Sequence, residues 1–175
     1  MQGFRKIDIA HLDKNIVHLI SKDKMLVTAG KLLKYNGMTA NWGGFGYLWN
    51  RPVAFVFIRP QRYTYELLEH EDYLTLSFFN KKFEGAVSVC GAKSGRHTEK
   101  MQESGLTGIE TTHGAVSYKQ ASIILECKKL YADFIKEESF INQAIMGYTY
   151  IYKDFHKMFI VEITEAWVNE DTTLV

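Results

Sequence analysis

Cysteine and proline are both scarce, with two residues of each among the 175 residues. Cys90 and Cys127 form no CxxC pair, which argues against a zinc ribbon and against a disulfide framework. The six histidines show no HxxxH or HExxH spacing, so we predict that the protein has no metal site. Such sparse cysteine usage suits a reducing compartment, and we expect a cytoplasmic protein.

An excess of charge of one sign is also missing. The formal net charge is +1, from 21 Lys and Arg against 20 Asp and Glu, so no bulk field attracts nucleic acid or an anionic membrane. The N-terminus lacks the apolar core of a signal peptide, and the longest apolar run, VAFVFI, is far shorter than the ~20 residues of a membrane span. We expect a soluble protein that binds neither nucleic acid nor membrane.

Linkers, internal repeats and low-complexity blocks are absent as well. The only two prolines, Pro52 and Pro60, bracket a single apolar run. With 175 residues, of which 46% are hydrophobic, the chain can bury one substantial core without stabilisation by disulfides or a metal. We predict a single domain over residues 1–175.

Strand patterns outnumber helix patterns. Runs of β-branched and aromatic residues predict strands at residues 25–29, 53–58, 73–79, 121–131 and 157–168. Helices are predicted around residues 16–20, from a cap at Thr64, around residues 83–87 and 98–101, and over residues 139–146. The order lacks regular strand-helix alternation, which favours a mainly β antiparallel barrel with peripheral helices.

Glycine and tryptophan are concentrated in YNGMTANWGGFGYLWNRP, residues 35–52. This stretch matches neither GxxxxGK[ST] nor GxGxxG, which disfavours phosphate-loop and dinucleotide-binding folds. Two interpretations remain open. Asn36 and Gly37 form a tight hairpin turn, or residues 36–40 present backbone and small polar groups to a flat ligand while the glycines allow close approach.

A first basic segment, IRPQRYTYELLE, is suited to an anion. A helix is predicted to begin at Thr64, and Arg59 and Arg62 lie just ahead of it. A helix N-terminus and two guanidiniums together suit a phosphate group. In the alternative interpretation, Thr64 only caps the helix and both arginines are solvated.

A second basic segment, CGAKSGRHTEK, places three cations around a Ser-Gly turn. Lys93, Arg96 and Lys100 either close over an anionic ligand or form a solvated charged face. No GxSxG elbow is present, and Cys90 follows an apolar run, so we interpret it as a buried structural thiol. With no protein-borne catalytic set in the sequence, an organic cofactor is the economical source of an activity.

Five segments in order resemble the motifs of the flavin reductase-like family of FMN-binding split-barrel proteins, in particular its flavoredoxin-like branch. These segments are YNGMTANWGGFG, LWNRPVAFVFIRPQRYT, FFNKKF, CGAKSGRHTEK and HKMFIVEI, and the resemblance covers about residues 23–166. The resemblance implies a six-stranded antiparallel split β-barrel with peripheral α-helices, noncovalently bound FMN, and a homodimer with flavin sites near the subunit interface.

The resemblance also implies which residues contact the cofactor. The segment that lines the flavin ring and ribityl chain is similar to Asn36, Met38, Thr39, Ala40, Asn41 and Trp42. The segment that meets the phosphate resembles Arg59, Arg62, Tyr63 and Thr64, and the strand end beside the flavin resembles Phe79 and Asn80. An SGRxxxK pattern is formed by Ser94, Gly95, Arg96 and Lys100. His156 stands where many relatives carry the tripeptide Gly-Asp-His. The resemblance implies that a histidine at this position orients nicotinamide. The stretch here, KDFHKMF, lacks the Gly-Asp part of that tripeptide.

Three functions follow as hypotheses. In the first, the protein is an FMN-dependent oxidoreductase that takes a hydride from NAD(P)H and reduces free flavin, ferric complexes or another small acceptor. In the second, it is a flavoredoxin-like electron-transfer protein that exchanges electrons with protein partners. In the third, the same barrel binds a different small molecule. The retained Arg59 and Arg62 favour the first two over the third.

Overall fold

The computed structural model describes residues 1–171, which fold into strands with helices at their periphery. The strands are β1 (Phe4–Ile7), β2 (Met25–Lys31), β3 (Lys34–Ala40), β4 (Gly43–Leu48), β5 (Arg51–Ile58), β6 (Tyr73–Phe78), β7 (Gly108–Glu110), β8 (Val116–Tyr118), β9 (Ile123–Phe134) and β10 (Lys157–Asn169). All five predicted strands are confirmed as β2, β5, β6, β9 and β10, with small differences at their ends.

Eight strands form one antiparallel sheet in the order β3-β2-β6-β9-β10-β5-β4, with β1 paired to β10. The sheet curls on itself, so that β3 at one end of this order contacts β5 near the other end. The predicted mainly β split barrel is confirmed, with eight strands in the sheet where the resemblance implied six. The short β1 joins because it pairs with residues 166–169, a part of β10 that β5 does not cover. A separate hairpin consists of β7 and β8.

Aliphatic side chains from five strands fill the interior of the barrel. Val27, Val56, Leu76, Leu125 and Val161 are all fully buried and belong to one apolar cluster. Burying a side chain of this kind stabilises the fold by about 1.5–3 kcal/mol. The runs of β-branched and leucine residues that predict the strands therefore also supply the core.

The helices lie outside the sheet. They are α1 (Ile16–His18), which continues as a π turn over Leu19–Asp23, then α2 (Tyr63–His70), α3 (Glu84–Ala92), α4 (Lys100–Glu103) and α5 (Gln143–Thr149), with single 3-10 turns at Ile9–His11, Lys81–Phe83 and Glu137–Ser139. The last helix begins later than predicted because Asn142 acts as its N-cap and accepts a hydrogen bond from the Ala144 N–H. Within residues 1–171, no helix has the length and apolar character to cross a membrane.

The sequence predicts that Thr64 caps α2, and this prediction is wrong. The N-cap is Arg62, whose backbone is extended with φ −77° and ψ 134°, and Thr64 is already helical. The Thr64 hydroxyl is fully buried and accepts a hydrogen bond of 2.6 Å from the Asn36 side-chain amide. A buried tertiary partner has replaced the local backbone N–H groups that a capping hydroxyl would bind.

The hairpin-turn interpretation of Asn36 and Gly37 is wrong. Both residues lie inside β3, where they pair with Ala29 and Thr28 of β2. A Cβ atom built on Gly37 would stand 2.6 Å from the Tyr118 hydroxyl, so glycine is required here for close packing. Most of the glycine-rich stretch accordingly forms strands β3 and β4.

Candidate functional site

Two cavities lie side by side between β3 and the residues that follow β5. Their volumes are about 310 Å³ and about 330 Å³, and both are lined by Met38, Thr39, Arg59 and Arg62. We call the two cavities together the cleft. Each volume is within the range of small-molecule sites, roughly 300–1,000 Å³.

Most of the predicted site residues meet in this cleft. The first cavity is also lined by Asn36, Tyr63, Thr64, Ser94, Gly95 and Lys100, and the second by Ala40, Asn41, Trp42 and His156. The strand β3 and the turn after it therefore form one wall, and the two basic segments form the opposite end. Contact of these residues with a ligand stays a prediction.

Close backbone packing shapes the first cavity. A Cβ atom on Gly95 would overlap the side-chain amide of Asn36, and one on Gly91 would overlap the Thr39 hydroxyl. Larger residues at these positions would displace the β3 side chains that face the cavity. The two glycines therefore allow the segment after α3 to approach β3.

Two of the cations that line the first cavity, Lys100 and Arg62, differ in burial and in hydrogen bonding. Lys100 is only 3% exposed, and its Nζ donates to the carbonyl oxygens of Cys90 at 3.0 Å and Lys93 at 3.1 Å. Burial lowers the pKa of Lys100, and the nearby Arg62 lowers it further. The side chain of Arg62 is exposed and makes no hydrogen bond or ion pair within the part of the chain that the structure describes. Its guanidinium is therefore available to an anion.

Arg59, by contrast, is already paired. Its guanidinium forms an ion pair with Asp154 and donates to the backbone carbonyl of Thr149 at 3.3 Å. The same group lies 5.6 Å from the centre of the Tyr150 ring, within the range of a cation–π contact. The segment 149–156 is thus attached to the end of β5.

His156 closes the second cavity with Trp42. The ring centres are 4.7 Å apart, and the His156 Nδ1 lies 2.9 Å from the Tyr150 hydroxyl. Burial lowers the pKa of His156 to about 4, with a further lowering by Arg59 that Asp154 opposes. At neutral pH the imidazole is therefore uncharged, and it can donate or accept one hydrogen bond at each nitrogen.

Three of the predicted residues lie outside the cleft. The Arg96 guanidinium pairs with Glu66 and donates to the Gln61 carbonyl at 2.6 Å, so it holds the Ser-Gly turn against α2. Phe79 and Asn80 line a different cavity of about 300 Å³, beside Lys22, Lys24 and Lys81 among others. In the SGR motif Ser94 and Gly95 thus line the cleft but the Arg96 side chain does not, and Phe79 and Asn80 of the FFN motif lie at the other cavity.

Several cleft residues were not among the predicted ones. They are Phe57, Gln61, Gly91 and Asp154, whereas Tyr150 lines neither cavity and acts through His156. Asp154 stands two positions before His156, and an acidic residue so close to a candidate histidine is a signal that the sequence offers. The others become recognisable only when strands and loops are assembled.

The cleft combines positive charge with a narrow, partly aromatic slot. Arg62, Lys100 and the first turn of α2 provide donors at one end, and Trp42 with His156 provide flat surfaces at the other. Cys90 at the cavity wall is buried, which raises its thiol pKa and keeps it protonated, in agreement with a structural role. The arrangement suits a flat molecule that carries an anionic group.

The comparison with protein families gives one match over most of the chain. The sequence model of the family described as "Flavin reductase like domain" matches residues 18–175. No curated protein matches the chain.

Several solved structures are similar in fold. An FMN-binding protein from Thermus thermophilus, with bound p-hydroxybenzaldehyde, is 20% identical with a TM-score of 0.65 over 84% of this chain and 71% of that chain. A flavoredoxin from Methanosarcina acetivorans is 19% identical with a TM-score of 0.67 over 86% and 70%. An NADH:FAD oxidoreductase from Streptomyces globisporus, in complex with NAD and FAD fragments, is 17% identical with a TM-score of 0.60 over 81% and 72%. At such low sequence identity, these structural similarities establish the fold alone.

Proposed function

The chain belongs to the flavin reductase-like domain family, and on that premise we propose that it is an FMN-binding oxidoreductase that receives a hydride from NAD(P)H. Its acceptor is free flavin, a ferric complex or another small molecule. The observation that carries the proposal is the cleft itself, in which a donor-rich end and an aromatic end are joined along β3.

The residues of the cleft fit the chemistry of FMN. A phosphate dianion needs several N–H donors, and Arg62, Lys100 and the first turn of α2 provide them. A flat ring with hydrogen-bond acceptors along one edge suits the backbone and small side chains of residues 38–41 beside Trp42. The close approach allowed by Gly91 and Gly95 leaves the first cavity as a narrow slot.

FMN would supply the electron-accepting ring, and the protein supplies binding, orientation and electrostatics. The buried ammonium of Lys100 adds positive charge in a partly dehydrated setting, where its effect on a bound anion is stronger than in water. His156 stays uncharged at neutral pH, so its role is to position a neighbouring ring by contact or by one hydrogen bond. The side chains of the cleft thus orient the reactants and take no part in proton transfer.

A second copy of the chain completes the proposal, since we infer a homodimer. Five large apolar side chains are exposed on and around α5, and they are Ile141, Ile145, Tyr148, Ile151 and Tyr152. Exposed apolar patches of this kind mark interaction surfaces. Light scattering after size-exclusion chromatography measures the mass directly, and a monomer at micromolar concentration would contradict the dimer.

The free and buried Cys90 and Cys127 support a reducing, cytoplasmic location.

The absorption spectrum of the purified protein tests the main proposal. The protein is incubated with FMN, desalted, and followed anaerobically after NADH and then NADPH are added. We expect retained flavin absorbance that bleaches promptly with one of the two nucleotides. A protein that retains no FMN would refute flavin binding.

A flavoredoxin-like electron carrier is the second candidate, and one contact favours it. Trp42 packs on the His156 ring at 4.7 Å, which covers the imidazole that relatives with Gly-Asp-His are expected to present to nicotinamide. In that case the flavin exchanges electrons with a protein partner. Bleaching by dithionite, combined with no response to either nucleotide, would support the carrier over the reductase.

A further inference from the structure

The two arginines that flank the cleft differ in what they already bind. Among residues 1–171, the polar and cation–π contacts of the Arg59 side chain all come from one segment of the chain, residues 149–156. They are the ion pair with Asp154, the 3.3 Å hydrogen bond to the Thr149 carbonyl, and the cation–π contact with Tyr150. These contacts use one N–H of each terminal nitrogen, and the Asp154 carboxylate compensates the charge of the guanidinium, which weakens its attraction for a phosphate.

Asp154 depends on this pairing. Its second carboxylate oxygen, Oδ1, is buried and has no hydrogen-bond partner within residues 1–171, so Arg59 supplies the one charge-compensating contact seen there. Turning Arg59 toward a ligand would leave a largely buried carboxylate uncompensated, which is strongly unfavourable. Arg62 carries no such cost because its side chain makes no ion pair or hydrogen bond in the described part of the chain.

The segment that Arg59 holds also carries His156. The carbonyl of His156 accepts a 2.9 Å hydrogen bond from the Ile135 N–H, and Tyr150 contacts Nδ1 of the ring. Arg59 therefore contacts the residue that orients the imidazole and the carboxylate two positions before it. Loss of these contacts would free the segment that forms one wall of the second cavity.

We propose that Arg59 and Asp154 are positioning residues whose ion pair anchors segment 149–156 and fixes His156 at the cleft. Recognition of the phosphate then falls to Arg62 and Lys100. The anchoring part of this inference concerns the protein alone, and the phosphate part rests on the proposed FMN binding. The two arginines of the RPxR segment thereby take different tasks, Arg59 in positioning and Arg62 in binding.

The test compares a charge-neutral double variant, Arg59→Gln with Asp154→Asn, with the single variant Arg62→Gln. In the double variant we expect amide hydrogen exchange across residues 149–156 to rise by about tenfold or more, because the anchoring contacts are lost. FMN affinity should fall clearly less than in Arg62→Gln, because the guanidinium of Arg59 is already paired with a carboxylate. Arg62→Gln should weaken FMN binding by about tenfold or more and leave the exchange unchanged.

The pKa of His156 gives a second readout, which a loss of structure in another part of the protein would not change. Arg59 lowers the pKa of His156 more than Asp154 raises it, and burial lowers it most. In the double variant the pKa, followed by NMR without flavin, should therefore move up from about 4 toward the ordinary value of 6.5. In the matched control, Arg51→Gln with Glu162→Gln removes an ion pair at the opposite end of β5 and should change neither readout.

Two results would overturn the inference. One is an exchange rate and a His156 pKa that do not change in the double variant, and the other is loss of FMN by the double variant as severe as that caused by Arg62→Gln. If the parent protein binds no FMN, the proposed function fails, but the exchange and pKa measurements on the apoprotein still decide the anchoring role. Should the double variant not fold, Asp154→Asn alone still tests the anchoring by hydrogen exchange, whereas the lost charge by itself should lower the His156 pKa, because Asp154 is the group that raises it.

Discussion

Replacing Arg62 with alanine should separate ligand binding from folding. The side chain is exposed and has no hydrogen bond or ion pair within residues 1–171, so folding should lose no more than about 0.5 kcal/mol. A charge-assisted contact with a phosphate contributes about 1.5–3 kcal/mol. Because 1.4 kcal/mol corresponds to tenfold in affinity, we expect the Kd for FMN to rise by about 10- to 150-fold.

Quenching of flavin fluorescence during titration measures the Kd, and urea denaturation measures the free energy of unfolding. Arg5→Ala is a suitable control because Arg5 is also exposed and lies on β1, which pairs with the end of β10 remote from the cleft. An Arg62→Ala protein that keeps the parent affinity would show that the phosphate does not lie beside α2. A large fall in stability would show that Arg62 has a structural role instead.

Three further changes test other parts of the structure. The folded-state pKa of His156, about 4, lies below its ordinary value of 6.5, so stability should fall as pH drops between these values; in His156→Gln, urea denaturation should show this fall reduced. Leu76→Ala should cost about 2–5 kcal/mol of unfolding free energy, because the side chain is fully buried. Gly95→Ala should weaken FMN retention in titrations by displacing Asn36, whereas Gly85→Ala, where a Cβ meets nothing, should leave it intact.

The local sequence predicts the strands well because their signal lies in the residues themselves. The strand β5 is rich in β-branched and aromatic residues, and its β-branched residues Val53, Val56 and Ile58 become fully buried in the barrel. Strands β3 and β4 escape that reasoning because glycines and polar residues interrupt their apolar pattern. They are strands because neighbouring strands supply their hydrogen bonds, which is a property of the assembled sheet.

The cleft residues divide along the same line. The motif order brings together Asn36, Met38 and Lys100, and the structure places all of them at the cleft. The motifs do not distinguish Arg59 from Arg62, since both read as exposed cations ahead of a helix. Asp154 makes the distinction, and it lies 95 residues from Arg59 in the sequence.

The family, the mainly β class and most of the residues around the cleft are predictable from the order of residues, because strand patterns and motif order are local properties of the chain. Tertiary structure alone decided which groups are free to bind. It turned Thr64 from a predicted cap into the partner of Asn36, committed Arg96 to Glu66, and left Arg62 with an unused guanidinium. The partner of a charged group or a hydroxyl depends on the distance between the groups and on their burial. Both are fixed only when segments remote in sequence pack together.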